Sequence, residues 1–229
     1  MKLEIIISIH QMKLTEELAL CYKLADKYQL SDLIFGHISV REGSGFYIKP
    51  PLMPFDSVTS NDMKFIEIDA ETKSFNDFSI HNYIYKNTNH TAIMHIHTDA
   101  ICAMAASGEK LLNISQPSAL VNTSFAEYEY ESNLLFDTDY SKLVDLVKNN
   151  EFVLMRNHGF ITAGKSLQHV FFNSYMFDKA CKIQLMSRNH TEFAKELTER
   201  TRELKVLLKY HQTKKEMWNN LLRGLNGIY

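Results

Sequence analysis

The sequence predicts an α/β fold with three layers, in which helices cover both faces of a central β-sheet. Segments with apolar residues at helical spacing alternate along the chain with short apolar or alternating runs that are typical of strands. The 229 residues, 45% of them hydrophobic, can bury a full core. Because no repeat or linker rich in proline and glycine divides the chain, we predict a single domain over residues 1–229, with a core at about 13–190 and a helical extension at about 191–225.

The first half of the chain contains a helix, three strands and a second helix. Residues 14–28 carry apolar residues at helical spacing and begin with the acidic first turn that helices favour. The remaining predicted elements are paired strands at 36–40 and 45–48, a strand at 65–69 and a helix at 79–86. Residues 1–10 are too short and polar for a signal sequence or a membrane span, so they are either an added edge strand or lie upstream of a true start at Met12.

The second half begins with an apolar run at 91–97, between turn-prone Asn89 and Thr98, which predicts a buried strand. A second apolar run starts at Phe152 and leads to a polar turn at His158, which predicts a pair of strands around that turn. The other predicted elements are helices at 98–106, 140–147, 166–186 and 191–225 and a strand at 125–130. An apolar stripe in the last helix predicts packing against the core or a second subunit; its members are Leu207, Tyr210, Trp218, Leu221 and Leu222.

Three histidines are spaced so that one metal ion can bind them all. Side chains alternate along a strand, so His95 and His97 point to the same face. His158 follows 61 positions later at the end of another apolar run, and two adjacent strand ends can bring the three rings together. Three imidazoles suit zinc, and three protein ligands with one open position are typical of a catalytic site. The alternative is that each is an ordinary buried or rim histidine.

The composition excludes several classes of function. With 25 basic and 27 acidic residues the net charge is −2, and no basic stripe indicates a nucleic-acid partner. No apolar stretch is long enough to indicate a membrane partner. The cysteines, Cys21, Cys102 and Cys181, lie far apart in apolar helical patterns, so we predict reduced, buried thiols in a cytoplasmic protein.

Four motifs in order resemble those of the class II aldolase and adducin family, from about Leu14 to about Arg188. They are Gly36-His-Ile-Ser-Val-Arg41, Ile48-Lys-Pro-Pro-Leu-Met-Pro-Phe-Asp56 with Asn61-Asp-Met63, His95-Ile-His97, and Arg156-Asn-His-Gly159 with Gly164. The resemblance implies a mostly antiparallel sheet and a divalent zinc ion bound by His95, His97 and His158. It also implies a small-molecule substrate and a homotetramer.

The chain departs from the sugar-phosphate aldolases of that family at the segment before the second helix. Those enzymes have Ser-Ser-Glu there, with serines that bind phosphate and a glutamate that moves the proton; here Phe75-Asn76-Asp77 corresponds. The resemblance therefore makes Asp77 a candidate catalytic residue, with a helix N-cap as the alternative. His37 is the other candidate acid or base, with a structural loop histidine as its alternative. The candidate substrate-binding residues are Gly36, Ser39, Lys49 and Asn76.

Two further segments are similar to the adducin-like branch of the family: residues 114–119 and residues 127–131. The function implied is a zinc-dependent, aldolase-like lyase that stabilises an enediolate of a small hydroxy-carbonyl or carboxylate substrate. A metal-dependent decarboxylase or epimerase would use the same stabilisation. A non-catalytic adducin-like binding or assembly module is the alternative from another class.

Overall fold

The computed structural model describes residues 12–68, 78–121, 125–129, 140–188 and 211–226. Seven strands form one sheet in the order β3-β2-β1-β4-β7-β6-β5, and all neighbours are antiparallel except the parallel pair β5 and β6. The strands are β1 (His37–Glu42), β2 (Gly45–Ile48), β3 (Lys64–Glu67), β4 (Ala92–Ile96), β5 (Phe125–Tyr128), β6 (Phe152–Met155) and β7 (Gly159–Gly164). The helices are α1 (Leu14–Lys27), α2 (Phe78–Asn87), α3 (Asp99–Ser107), α4 (Gln116–Val121), α5 (Ser141–Asn149), α6 (Leu167–Ser187) and α7 (His211–Asn226).

The middle of the sheet brings β1, β4 and β7 side by side. His37 of β1 is the register partner of His95 in β4, and Ile96 of β4 is the partner of Phe160 in β7. Directly opposite residues of an antiparallel pair point to the same face of the sheet. His37 and His95 therefore lie side by side on one face, at the end of β4 where the chain turns into α3.

Helices cover both faces of the sheet, and each face has its own apolar cluster. Met94 and Ile96 of β4 pack with residues of α1, α3, α6 and α7. Ile93, on the opposite side of the same strand, packs with residues of α2 and α5. His95 shares the face of Ile93 by alternation, so it points toward the layer that contains α2.

Stacked aromatic rings fix the hairpin of β6 and β7 against α6. Phe177 of α6 is 1% exposed, and its ring centroid lies 4.3 Å from that of Phe160 and 5.9 Å from that of Phe152. Aromatic pairs at such distances add to the free energy gained by burial. The turn that carries His158 is thereby held at a defined position relative to the helical layer.

The structure confirms the predicted fold class, and the bounds of most elements agree with the sequence to within two residues. The strand predicted to run through His97 ends at Ile96, and α4 has no counterpart in the prediction. Trp218 and Leu222 of the predicted apolar stripe are buried. Three parts of the prediction lie outside the described residues: residues 1–10 with their two alternatives, Leu207 and Tyr210 of the stripe, and residues 191–210 of the last helix. In the described ranges no helix has the length and apolar character needed to cross a membrane.

Candidate metal centre

The three histidines predicted from the sequence converge on one point. The Nε2 atom of His97 lies 2.8 Å from Nε2 of His95 and 3.0 Å from Nε2 of His158. One ring nitrogen of each residue falls within 4.8 Å of the other two. Two tetrahedral ligands of zinc at about 2.0–2.1 Å from the ion are roughly 3.3 Å apart, so a small expansion of the cluster gives that geometry.

Hydrogen bonding among the rings alone does not account for this arrangement. Nδ1 of His95 lies 2.9 Å from the carbonyl oxygen of Phe160, so it carries the ring proton and leaves a lone pair on Nε2. A proton on Nε2 of His97 can be donated toward His95 or toward His158, but it cannot point at both. A cation accepts all three lone pairs at once, so the donor set fits a divalent metal ion.

The three rings are electrically neutral at neutral pH. Burial lowers the pKa of His97 to about 4, and burial and the nearby His97 lower that of His158 to about 4. Burial, followed by the neighbouring histidines, also holds the pKa of His95 well below its usual range. Neutral imidazole is the form that ligates metals, so the ligands require no deprotonation before an ion binds.

A tight turn between β6 and β7 places His158 next to His97. The backbone N–H of His158 donates to the carbonyl of Met155 at 3.0 Å, and Asn157 adopts a positive φ of 55°. Asparagine tolerates this left-handed conformation better than most residues. After the turn comes Gly159, where a Cβ would lie 2.5 Å from Cδ2 of His97 and 2.6 Å from the carbonyl oxygen of Ile96. Only a residue without a side chain lets the turn approach β4 this closely.

Two polar side chains, those of Thr98 and Cys102, hold the backbone next to the histidines. Thr98 follows His97 and caps α3: its Oγ1 accepts from the N–H of Ile101 and donates to buried Asp178 of α6 at 2.5 Å. Cys102 of α3 donates its Sγ–H to the carbonyl of His158 at 3.1 Å. These contacts fix the backbone at two of the three candidate ligands, which metal sites require for defined geometry.

His37 lies against the cluster and connects it to α2. Its ring centroid is 4.8 Å from that of His95, and its Nδ1 lies 2.5 Å from Nε2 of His81. The pKa of His37 lies well below its usual range, mainly because the ring is buried and secondly because His81 is close to it. His81 is fully buried.

Gly36 lies against the backbone of His95, and Lys49 lies near His37. Gly36 has a φ of 76°, and a Cβ there would lie 3.1 Å from the carbonyl oxygen of His95. The Lys49 side chain is buried, and its Nζ donates to the carbonyl of Ile34 at 3.0 Å. Its ammonium group is near enough to His37 to contribute to the lowered pKa of that ring.

Of the remaining predicted site residues, one is buried inside the fold and two lie outside the described residues. Ser39, which the motif predicts to bind substrate, is fully buried, and its hydroxyl contacts His81 and Tyr85. Its role in substrate binding stays a prediction. Asp77 and Asn76 lie outside the described residues and stay predictions. The sequence reasoning missed the contributions of the Phe160 carbonyl, Thr98, Asp178 and Cys102. A threonine directly after the histidine strand was the one usable signal, because threonine is a common helix N-cap.

The geometry agrees with comparisons to known proteins. The family model for the class II aldolase and adducin N-terminal domain matches residues 16–185. A Pseudomonas aeruginosa protein provisionally named an aldolase class 2 protein is 28% identical over 185 residues, which cover 76% of this chain and 71% of that protein. Alpha-adducin of Rattus norvegicus is 29% identical over 184 residues, covering 74% of this chain but 25% of the adducin.

Among solved structures, an aldolase II superfamily protein from Pseudomonas syringae superposes with a TM-score of 0.81. The superposition covers 94% of this chain and 95% of that one, at 24% sequence identity, and it demonstrates a common fold. Because the family model spans most of the chain and includes all three histidines, the chain belongs to the class II aldolase and adducin N-terminal domain family.

Proposed function

We propose that the protein is a divalent-metal-dependent lyase of the class II aldolase type, acting on a small hydroxy-carbonyl or carboxylate substrate. The observation that carries the proposal is the convergence of three neutral Nε2 atoms, from His95, His97 and His158, on one point. Zinc is the ion that a set of three imidazoles favours, and three protein ligands leave a coordination position for substrate. An ion bound there supplies a Lewis acid, which polarises a carbonyl oxygen and stabilises negative charge on it.

The surrounding residues have separate roles in this proposal. His37 lies beside His95 and can contact the same substrate oxygen that approaches the ion. Lys49 stays the candidate contact for an anionic group of the substrate, because an ammonium group can bind an anion as a point charge. Asp77 and Asn76 precede α2 in the sequence, and we keep them as the candidate proton-transfer residue and substrate contact. Gly36 lets the chain before β1 pass close to the backbone of β4, and it stays a candidate substrate-binding residue.

A decarboxylase or epimerase would need the same stabilisation of negative charge, so both stay within the proposal as alternatives for the reaction type. The relation to alpha-adducin supports a second candidate, a non-catalytic binding module, since this chain corresponds to about a quarter of that protein. The two candidates differ in one respect. A binding module has no need of three neutral imidazoles that converge on one point, whereas a metal-dependent lyase requires them.

The substrate is expected to lack a phosphate group. Phe75-Asn76 stands where sugar-phosphate aldolases have two serines, and His37 stands where they have asparagine, so short hydroxyl and amide donors for phosphate are missing. We expect zinc-loaded protein to cleave or decarboxylate an unphosphorylated hydroxy-carbonyl or carboxylate compound. Matched panels with and without phosphate, including fuculose and ribulose and their phosphates, test this. Turnover of a sugar phosphate at roughly 1 per second or faster would show the expectation to be wrong.

We also propose that the protein assembles as a homotetramer with the metal centre near a subunit boundary. Three large apolar side chains in the segments before β1 and after β2 are exposed: Leu33 by 77%, Phe35 by 54% and Leu52 by 73%. Leu33 and Leu52 have positive φ angles of 47° and 63°, which leucine rarely adopts, so a role at the surface has to offset that strain. Contact with another subunit would bury these side chains.

Light scattering is expected to give about four times the chain mass of 26.6 kDa at micromolar concentration. Leu33→Asp combined with Leu52→Asp is expected to lower that mass without unfolding the chain, because aspartate tolerates positive φ better than leucine does. Wild-type protein that scatters as a 26.6 kDa particle would refute the assembly and leave the metal proposal standing.

A further inference from the structure

A line of buried hydrogen bonds runs from the metal centre into the layer that contains α2. Nδ1 of His37 lies 2.5 Å from Nε2 of His81, and Nδ1 of His81 lies 2.5 Å from Oγ of Ser39. The hydroxyl of Tyr85 ends the line, 2.8 Å from the same Oγ. All four side chains are at most 4% exposed. Bulk water therefore does not accept their protons.

The four groups have four protons, one on each neutral ring and one on each hydroxyl, but they make three contacts, so one proton is left without an acceptor among them. Neutral His81 has one ring proton, and each hydroxyl of Ser39 and Tyr85 has one. Ser39 is the single hydrogen-bond partner of the Tyr85 hydroxyl within the described part of the chain. If His81 donated from Nδ1 to Ser39, the contact between the hydroxyls would use one of their two protons, and the other would be buried without an acceptor. Burying an unsatisfied donor is unfavourable.

In the arrangement that satisfies both hydroxyls and His81, Tyr85 donates to Ser39, Ser39 donates to Nδ1 of His81, and Nε2–H of His81 donates to Nδ1 of His37. The proton left over is then that of His37, at the end of the line next to the metal centre, where a substrate oxygen can accept it. Burial lowers the pKa of His81 to about 3, which agrees with a single proton on that ring. Because Nδ1 of His37 is then an acceptor, the proton of His37 resides on Nε2. Nε2 lies on the side of the ring away from His81, and His95 packs against the same ring at 4.8 Å.

We propose that His81, Ser39 and Tyr85 act as positioning residues that lock His37 in the Nε2–H tautomer. His37 thereby presents a hydrogen-bond donor, and not a lone pair, beside the three histidines. An N–H at this position stabilises negative charge on a substrate oxygen, and it cannot become a fourth metal ligand or a general base. This inference rests on the proposed function, because the donor acts on a substrate bound at the metal centre. It leaves the fourth coordination position of the ion for substrate.

Long-range ¹H–¹⁵N correlation spectra of zinc-loaded, ¹⁵N-labelled protein distinguish protonated from unprotonated ring nitrogens. The signals of His37 are identified by their loss in His37→Gln. We expect Nε2 to be protonated and Nδ1 unprotonated in both His37 and His81. An unprotonated or metal-bound Nε2 in His37 would overturn the inference.

The variant Ser39→Ala tests whether the line holds the tautomer. It removes the donor to Nδ1 of His81, so the ring-nitrogen shifts of His37 are expected to move to values between those of the two tautomers. Ser118→Ala is the matched control, because Ser118 is also a buried serine but lies in α4, where its hydroxyl contacts Ser115. Unchanged His37 shifts in Ser39→Ala, or equal changes in both variants, would contradict a role of the line.

The zinc content of the same samples separates the two proposals. Protein that binds no metal but has the expected His37 tautomer contradicts the proposed function and supports the role of the line. Protein that binds one ion through His95, His97 and His158 while Nε2 of His37 lacks a proton supports the proposed function and overturns the inference.

Discussion

Replacing His95 and His97 together by alanine is expected to abolish retention of a divalent ion. The two residues supply two of the three nitrogens that converge, and the single imidazole of His158 that is left is a weak monodentate site. Loss of even an outer partner of a metal ligand lowers affinity by about 10–100-fold, so loss of two ligands should exceed that range. Elemental analysis after dialysis against metal-free buffer measures the effect, with about one ion per chain expected for wild type.

The control is His90→Ala, which removes a partly buried histidine that contacts the carbonyl of Val147 and does not belong to the cluster. This variant should retain as much metal as wild type. Circular dichroism of all three proteins establishes that they are folded. Equal metal content in wild type and in the double variant would remove the basis of the proposed function.

Gly159→Ala is expected to displace the metal ligands without removing any of them. The new methyl group would lie 2.6 Å from the carbonyl oxygen of Ile96 and 2.5 Å from Cδ2 of His97, so β4 or the His97 ring must move. Overpacking of this kind costs about 1–3 kcal/mol of stability. A movement of His97 relative to His158 should also lower metal affinity, by about the 10–100-fold typical of changes around metal ligands.

Gly224→Ala is the matched control for this substitution. Gly224 lies in α7, and among the described residues a Cβ there would meet only Nζ of Lys27, at 3.9 Å. Alanine should stabilise the helix by about 1 kcal/mol and leave the metal affinity unchanged. Calorimetric titration with zinc compares the two variants. If Gly159→Ala binds zinc as tightly as Gly224→Ala does, the close approach of the turn to β4 has no role in the site.

Most elements of the fold could be predicted because their sequence patterns are locally consistent. The apolar run before His97 has the length and flanking turn residues of a buried strand, and residues 14–28 have a clear helical period. Helix α4 could not be predicted, since its six residues are too few to display a period and include Pro117 near their start. The order of the strands depends on pairing between distant segments, which local patterns do not encode.

The three histidines could be predicted because their side chains and spacing are visible in the sequence. The group that sets the tautomer of His95 could not, since it is a backbone carbonyl and any residue at position 160 would provide one. Asp178 lies 80 positions from Thr98, and only the packing of α6 against α3 brings the two together. The contact of His37 with His81 likewise depends on how β1 and α2 are positioned.

X-ray absorption spectroscopy of zinc-loaded wild-type protein tests the central claim most directly, because it counts and identifies the ligands. Three imidazole nitrogens at about 2.0–2.1 Å, with the remaining coordination from oxygen, are expected. A zinc–sulfur distance of about 2.3 Å would instead indicate a cysteine ligand such as Cys102, whose Sγ contacts the carbonyl of His158. That result, or a count of fewer than three imidazoles, would contradict a metal centre formed by His95, His97 and His158.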